Sequence, residues 1–406
     1  MASPVEAAEG RAADSHPQAF PVSGVDVGPE IAMVAGEASG DLLASLLLKG
    51  ARQKWPGMHA VGIGGPRMIE QGFETWWPQS KLAVRGYVEV LRHLREILQI
   101  RKALAQRLTV ERPNVFVGVD APDFNLGLEA MLRAQGIKTV HFVGPSIWAW
   151  RPERIEKVRV SADHVLCIFP FEPPIYEKAG IAATYVGHPL AGVIPLAPDR
   201  AAAKARLGIP VDDVPLLAIL PGSVASEIGH NGPVFLAAAA ELQRRGRQLR
   251  LVLPTLPALR PVVERQIQAA GLAGHVILLE GRSHDVLEAC DLTLIASGTA
   301  TLEAVLYKRP MVIGYRVNWL TAQIMKRKAL QPWVGLPNIL CRDFVVPELL
   351  QHNCTPRALA DALQRWLDSP EAVQNLTQRF LALHHELRRD TATLATHAIE
   401  KVLSSA

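Results

Sequence analysis

The chain has 406 residues, 49% hydrophobic and 20% charged, and its 43 Lys+Arg against 39 Asp+Glu give a net charge of +4. That balance is globular rather than disordered or fibrous, and it does not call for a nucleic-acid partner. Four scattered cysteines without a C-x-x-C argue against a zinc ribbon, a redox dithiol and a secreted disulfide scaffold, and no apolar run reaches the ~18 residues of a membrane span.

Residues 1–30 carry Glu6, Glu9, Asp14 and Asp26 among prolines and glycines, with no apolar run of the signal-peptide kind. They read as a disordered leader. From residue 31, short apolar runs alternate with helical stretches. Strands are predicted at 31–35 (IAMVA), 59–63, 115–119 (VFVGV), 139–143 and 164–168, and helices at 41–53 and 88–108. A proline-containing stretch over 187–198 reads as a linker. A second series follows, with strands at 216–220 (LLAIL), 249–254, 275–279, 292–296 and 311–314 and helices at 234–244 and 302–307. Continuous apolar strands between helices predict parallel sheets covered on both faces. The expected architecture is α/β, with two Rossmann-like domains facing each other across a cleft. Their expected spans are 31–190 and 191–370, and 371–406 is expected to pack back on the first domain.

Chemistry gathers where strands end. GEASGD over 36–41 turns from the first strand into a helix, whose free N–H groups suit an anionic or hydroxyl-rich ligand. Glu37 would face the cleft there, while Ser39 or Asp41 could equally be plain helix caps. GIGGPR over 62–67 fails as a dinucleotide fingerprint, because Arg67 stands at its third glycine position. In GVDAPDFN over 118–125, Asp120 leaves a rigid strand at the position a general base would need, with Asp123 and Asn125 beside it as loop-forming alternatives. Trp148 and Trp150 either fill core or floor a sugar or acyl site, and Arg151 and Arg154 could meet an anion.

In the second half, Pro221-Gly222-Ser223 and Ser297-Gly298-Thr299-Ala300-Thr301 each lead from a strand into a helix, as diphosphate cradles do. Glu303, one turn further, could accept from ribose hydroxyls. Asn338 lies in an apolar segment as either a ligand contact or a loop staple. The helix from Val88 places Leu91, Leu94 and Leu98 on one stripe flanked by Arg85, Arg92, Arg95, Arg101 and Lys102. It suits an anionic membrane surface or an ordinary core contact. The histidines form no metal-binding spacing, so neither a metal nor a cofactor is expected.

Taken in order, VAGEASGD, GIGGPRM, LAVRGYVEVL, VGVDAPDFN, GPSIWAWR, LPGS, ASGTATLEA and GLPNIL resemble the lipid-A-disaccharide synthases, inverting GT-B glycosyltransferases of Gram-negative bacteria. The resemblance runs from about residue 31 to the C-terminus. It implies transfer of 2,3-diacylglucosamine from its UDP derivative to the 6-hydroxyl of 2,3-diacylglucosamine 1-phosphate, forming a β-1,6 link at the cytoplasmic face of the inner membrane. It also implies Asp120 as base, Glu37 and Asn338 on the sugars, Glu303 on the ribose and Ser297 to Thr301 on the diphosphate. Ser39 falls on a family motif position, and the helix from Val88 becomes the membrane contact. One departure stands out: the family's P-G-S-R turn reads Pro221-Gly222-Ser223-Val224 here. Arg151, Arg154 or Arg316 is left to meet the diphosphate in place of the missing arginine. Two other readings stay open: another GT-B enzyme such as a UDP-sugar epimerase, and a binding homologue without turnover.

Overall fold

A computed structural model describes residues 28–82, 87–149, 152–318, 322–323 and 330–405, with backbone only for 87–92. The expected leader therefore falls, through residue 27, outside the described residues.

The first sheet has seven parallel strands in the order β3-β2-β1-β4-β5-β6-β7. They are β1 (Glu30–Ala35), β2 (His59–Gly64), β3 (Glu74–Pro78), β4 (Val115–Val119), β5 (Lys138–Phe142), β6 (His164–Cys167) and β7 (Ala182–Tyr185). The helices between them are α1 (Ala38–Lys54), α2 (Pro66–Glu70), α3 (Tyr87–Glu111), α4 (Pro122–Arg133), α5 (Arg154–Ser161) and α6 (Pro173–Lys178). Alternation along β1 explains why both faces need cover. Ile31, Met33 and Ala35 pack with Leu43 and Leu47 of α1, whereas Ala32 and Val34 pack with Leu104 of α3 and Leu128 of α4.

After α7 (Pro189–Val193) and α8 (Arg200–Arg206), a second parallel sheet forms in the order β10-β9-β8-β11-β12-β13. Its strands are β8 (Leu216–Leu220), β9 (Arg250–Thr255), β10 (Val276–Glu280), β11 (Leu292–Ile295), β12 (Met311–Tyr315) and β13 (Glu348–Leu350). Helices α9 (Ala225–Arg244), α10 (Arg260–Ala269), α11 (Ser283–Ala289) and α12 (Thr299–Leu306) join them. In each sheet the strand order reverses once, between β1 and β4 and between β8 and β11. Open α/β sheets bind ligands beyond the carboxyl ends of the strands at such switch points.

The segment 371–406, expected to pack back on the first domain, holds the helices Pro370–Leu387 and Thr391–Ser404. They break at Arg388–Asp390, where the Asp390 carboxylate accepts the Thr393 N–H and caps the second helix. That helix returns to the first domain. Glu400 pairs with Lys54, Lys138 Nζ donates to the Ser405 carbonyl, and Thr391 Oγ1 donates to the Val186 carbonyl. Gly50 of α1 allows the approach, since a Cβ there would lie 2.4 Å from the Ala392 carbonyl oxygen.

Candidate active site

Glu37 and Asp120 follow the adjacent strands β1 and β4, whose register pairs Ala35 with Val119. They therefore flank the first switch point. Glu37 is the extended N-cap of α1, yet its side chain caps nothing and is exposed. The Gln79 amide instead donates to the carbonyls of Ala35 (3.1 Å) and Glu37 (3.0 Å) and so fixes the turn from β3's side. Ser39 is exposed on the first turn of α1. Asp41 is buried, and it caps α2 rather than its own helix by accepting the N–H groups of Gly65, Arg67 and Met68 at 3.0–3.1 Å. The glycine-rich GIGGPR loop is thus tied to α1.

Asp120 and Ala121 both adopt left-handed backbone, with φ of 53° and 43°. Two successive non-glycine residues in this region are uncommon, and such strain gathers at functional sites. Asn125, fully buried one turn into α4, holds the turn: its Nδ2 donates to the carbonyls of Asp120 (2.8 Å), Val119 (3.3 Å) and Val34 (3.4 Å). Asp123 instead reaches out to Arg154 at 3.0 Å, so that arginine already has a carboxylate partner.

Trp148 fills a half-buried aromatic cluster with Phe169 and Phe171, its ring set edge-on to both. Its Nε1 donates to Glu172, which also accepts the N–H groups of Ile168 and Phe169. Burial pushes the Glu172 carboxyl up to about 7. Trp150 and Arg151 lie outside the described residues.

In the second sheet, β8, β11 and β12 are neighbours, and their carboxyl ends carry Ser223, Ser297 and Arg316. Gly222, at φ 132°, makes the turn after β8, and Glu227 Oε2 accepts the Ser223 N–H at 3.0 Å. Asn231, fully buried in α9, links two of these ends by donating to the Pro221 carbonyl and accepting the Arg316 N–H at 2.8 Å. Val224 is the N-cap of α9 and stands exposed. After β11, Gly298 caps α12, exposed with Thr299, while Ala300 is half-buried and Thr301 turns inward to the Gly298 carbonyl. The Ser297 hydroxyl donates to the Val334 carbonyl. Glu303 is half-buried; burial raises its carboxyl above the usual range and His284 opposes the shift.

Asn338 is fully buried with both ends of its amide engaged. Nδ2 donates to the Val346 carbonyl and to Glu348, and Oδ1 accepts the Val346 N–H at 3.0 Å. Of the two sequence readings, these bonds describe the staple. Glu348 also takes the N–H groups of Val334 and Gly335, so one carboxylate organises the loop beside Ser297.

On α3, the side chains of Val88, Leu91 and Arg92 lie outside the described residues. Beyond them Leu94 and Leu98 are 39% and 41% exposed, and Arg95 is exposed beside them. Further along the helix, Ile100, Leu104 and Leu108 are buried in the core of the first domain. No described helix is long and apolar enough to cross a membrane, and no cluster of metal-ligating side chains occurs among the described residues.

Sequence reasoning passed over Gln79, Asn231 and Glu348. Each acts through contacts far along the chain, which no local motif signals.

The architecture is shared with solved sugar-nucleotide enzymes. A putative UDP-N-acetylglucosamine 2-epimerase from Listeria monocytogenes superposes with a TM-score of 0.62 at 15% identity, over 93% of this chain and 96% of that one. The UDP-GlcNAc 2-epimerase of Neisseria meningitidis, bound to UDP-GlcNAc, gives 0.58 at 13%, over 92% and 99%. At these identities the likeness is one of fold. In sequence, the chain is 60% identical over 379 residues to the lipid-A-disaccharide synthase of Albidiferax ferrireducens, covering 92% of this chain and 97% of that protein. It is 58% identical, with the same coverage, to the enzyme of that name from Verminephrobacter eiseniae. The family model described as lipid-A-disaccharide synthetase matches residues 31–399. The chain therefore belongs to the lipid-A-disaccharide synthase family, whose members are glycosyltransferases of lipid A biosynthesis.

Proposed function

We propose that this chain joins two acylated sugars, passing 2,3-diacylglucosamine from UDP-2,3-diacylglucosamine to the 6-hydroxyl of 2,3-diacylglucosamine 1-phosphate with inversion and release of UDP. The observation that carries this reading is Asp120, set by a strained and clamped turn at the switch point beside Glu37. An inverting displacement needs one base on the acceptor hydroxyl, opposite the leaving group. Asp120 takes that role, and Glu37 orients a sugar hydroxyl. Asn338 contributes through the loop it staples.

The second domain receives the nucleotide. The N-termini of α9 and α12, with Ser223 and Thr299, supply N–H and hydroxyl donors to the departing diphosphate, which needs its growing charge stabilised, while Ser297 and Thr301, whose hydroxyls are spent on the Val334 and Gly298 carbonyls, shape the turn that presents them. Gly298 and Ala300 keep that approach open, Glu303 accepts from the ribose, and Arg316 brings a cation from the end of β12. We place the domain boundaries near 190, shortly after β7, and near 370, where the helix Pro370–Leu387 begins.

Both sugar substrates are lipids, so the reaction belongs at a membrane surface. Leu94 and Leu98, one helical turn apart and exposed beside Arg95, support docking of α3 at the cytoplasmic face of the inner membrane.

The test is mass-spectrometric detection of disaccharide from the two substrates in mixed micelles, for the parent chain, Asp120→Ala and Val224→Arg. Product from the parent that Asp120→Ala abolishes supports the reading. Product only from Val224→Arg would make this chain a binding homologue that has lost its leaving-group contact. Silence from every variant, beside an active control enzyme, would overturn the transferase assignment.

A further inference from the structure

Directly beneath the Asp120 turn lies a polar group that the proposed chemistry does not use. Asn125 and Glu129 of α4 and His141 of β5 are all fully buried. Glu129 Oε1 and His141 Nδ1 are 2.7 Å apart. Gly118, the β4 residue in register with His141, makes room for them. A Cβ on Gly118 would lie 2.1 Å from Glu129 Oε1 and 2.8 Å from Asn125 Cβ. The strand has given up a side chain just where the carboxylate enters.

Three buried atoms of this group have no hydrogen-bond partner: Asn125 Oδ1, Glu129 Oε2 and His141 Nε2. Such clustering beside a site calls for a functional account. Stability does not provide one, because apolar residues commonly replace a buried ion pair without loss. The backbone over the pair is strained on two adjacent strands, at Asp120 and Ala121 after β4 and at Val143, with φ 72°, after β5. A β-branched residue in that conformation is an outlier.

We infer that Glu129 and His141 form a buried charge pair that positions the Asp120 turn and sets the electrostatic field at its carboxylate. Glu129 and Asp120 are the charged groups that act on His141. Burial works against its charge, yet these two carboxylates hold the imidazole above the ordinary histidine range. A cation at His141 places positive potential beneath the Asp120 turn. Glu129 and His141 are positioning residues: they act on the acceptor hydroxyl through Asp120 and the turn that Asn125 clamps. This inference rests on the proposed role of Asp120.

The experiment has two arms. The first is NMR of the full-length chain labelled with 15N-histidine, with His141 assigned by His141→Gln. Both ring nitrogens are expected to be protonated at pH 7, and Asp120→Asn is expected to lower the midpoint by roughly one pH unit. A neutral His141 throughout, or a midpoint that ignores Asp120→Asn, overturns the inference whether or not the enzyme is active. The second arm is kinetic. Glu129→Gln is expected to lower kcat roughly tenfold, with KM and melting temperature nearly unchanged, and to move the acid limb of kcat/KM to higher pH. Glu129→Asp, which keeps the charge, is expected to recover part of that loss. If Glu129→Gln fails to fold, His141→Gln is used for the same measurements. A variant with parental kcat and pH profile overturns the inference. A parent chain without transferase activity would instead count against the proposed function and leave the NMR result to decide the coupling.

Discussion

Asn125 donates its side-chain amide to the Asp120 carbonyl at 2.8 Å, and this bond holds the candidate base in left-handed backbone. Asn125→Ala leaves that carbonyl without its partner and releases the turn. We expect a stability loss of about 1–3 kcal/mol by urea unfolding, and a fall in kcat well below the melting range. Asn125→Asp sets a carboxylate against three carbonyl oxygens and is expected to cost more than alanine. An alanine variant with parental stability and turnover would remove the clamp from the account.

Val224 stands where the family motif has an arginine, exposed at the N-cap of α9. A guanidinium there meets no crowding and faces the proposed diphosphate site. A charge-assisted hydrogen bond contributes about 1.5–3 kcal/mol. Val224→Arg is therefore expected to tighten UDP binding by roughly ten- to a hundredfold by calorimetry, with unfolding stability unchanged. Unaltered affinity would mean that another group, such as Arg316, already fills the position.

Two groups around Phe169 carry opposite pH signatures. Burial lowers the His188 imidazole to about 4, and its ring centroid lies 5.6 Å from that of Phe169. The folded state thus holds fewer protons than the unfolded chain between about 4 and 6.5, and stability is lost as pH falls through that window. The Glu172 carboxyl is raised to about 7 by burial, so its folded form holds more protons between about 4.5 and 7, and stability is lost as pH rises there. The two slopes offset. His188→Asn should leave a chain that gains stability on acidification from pH 7 to pH 5, and Glu172→Gln one that loses it. Each change is expected to be on the order of 1–3 kcal/mol. Parallel slopes for parent and both variants, from denaturant titrations at several pH values, would contradict the assignment.

Gly50 touches the returning C-terminal helix, with a Cβ there 2.4 Å from the Ala392 carbonyl oxygen. Gly50→Val has no room. We expect a loss of about 1–3 kcal/mol and faster proteolysis within residues 388–390, located by mass spectrometry. Parental protease resistance would show that the helix shifts without undocking.

The central strands were legible because burial on both faces leaves an unbroken apolar run, as in VFVGV of β4 and LLAIL of β8. Of the four edge strands, β10 was legible from its apolar VILLE run, whereas β3, β7 and β13 were not. Their residues are half-buried or exposed, so ETWWP, AATY and ELL carry no continuous signal. Helix α9 begins nine residues before the predicted 234 because it continues through Pro233, which sequence rules treat as a boundary. At the candidate site, the strand-end turns were visible as local motifs. Asp41 as the cap of α2, Asn231 as a link between strand ends and the Glu129–His141 pair were not, because each depends on a partner distant in sequence.

The last helix also sets an order of events during synthesis. The first sheet is complete once Tyr185 has emerged, but the groove over α1 stays open until Thr391–Ser404 is made. At roughly 5–20 residues per second, the intervening ~200 residues take on the order of 10–40 seconds. For that time the nascent amino-terminal domain exposes apolar surface beside Leu47 and Leu48 that its own chain covers last. Chaperone occupancy on stalled nascent chains is therefore expected to persist past the end of the first sheet and to fall only when the final helix is released.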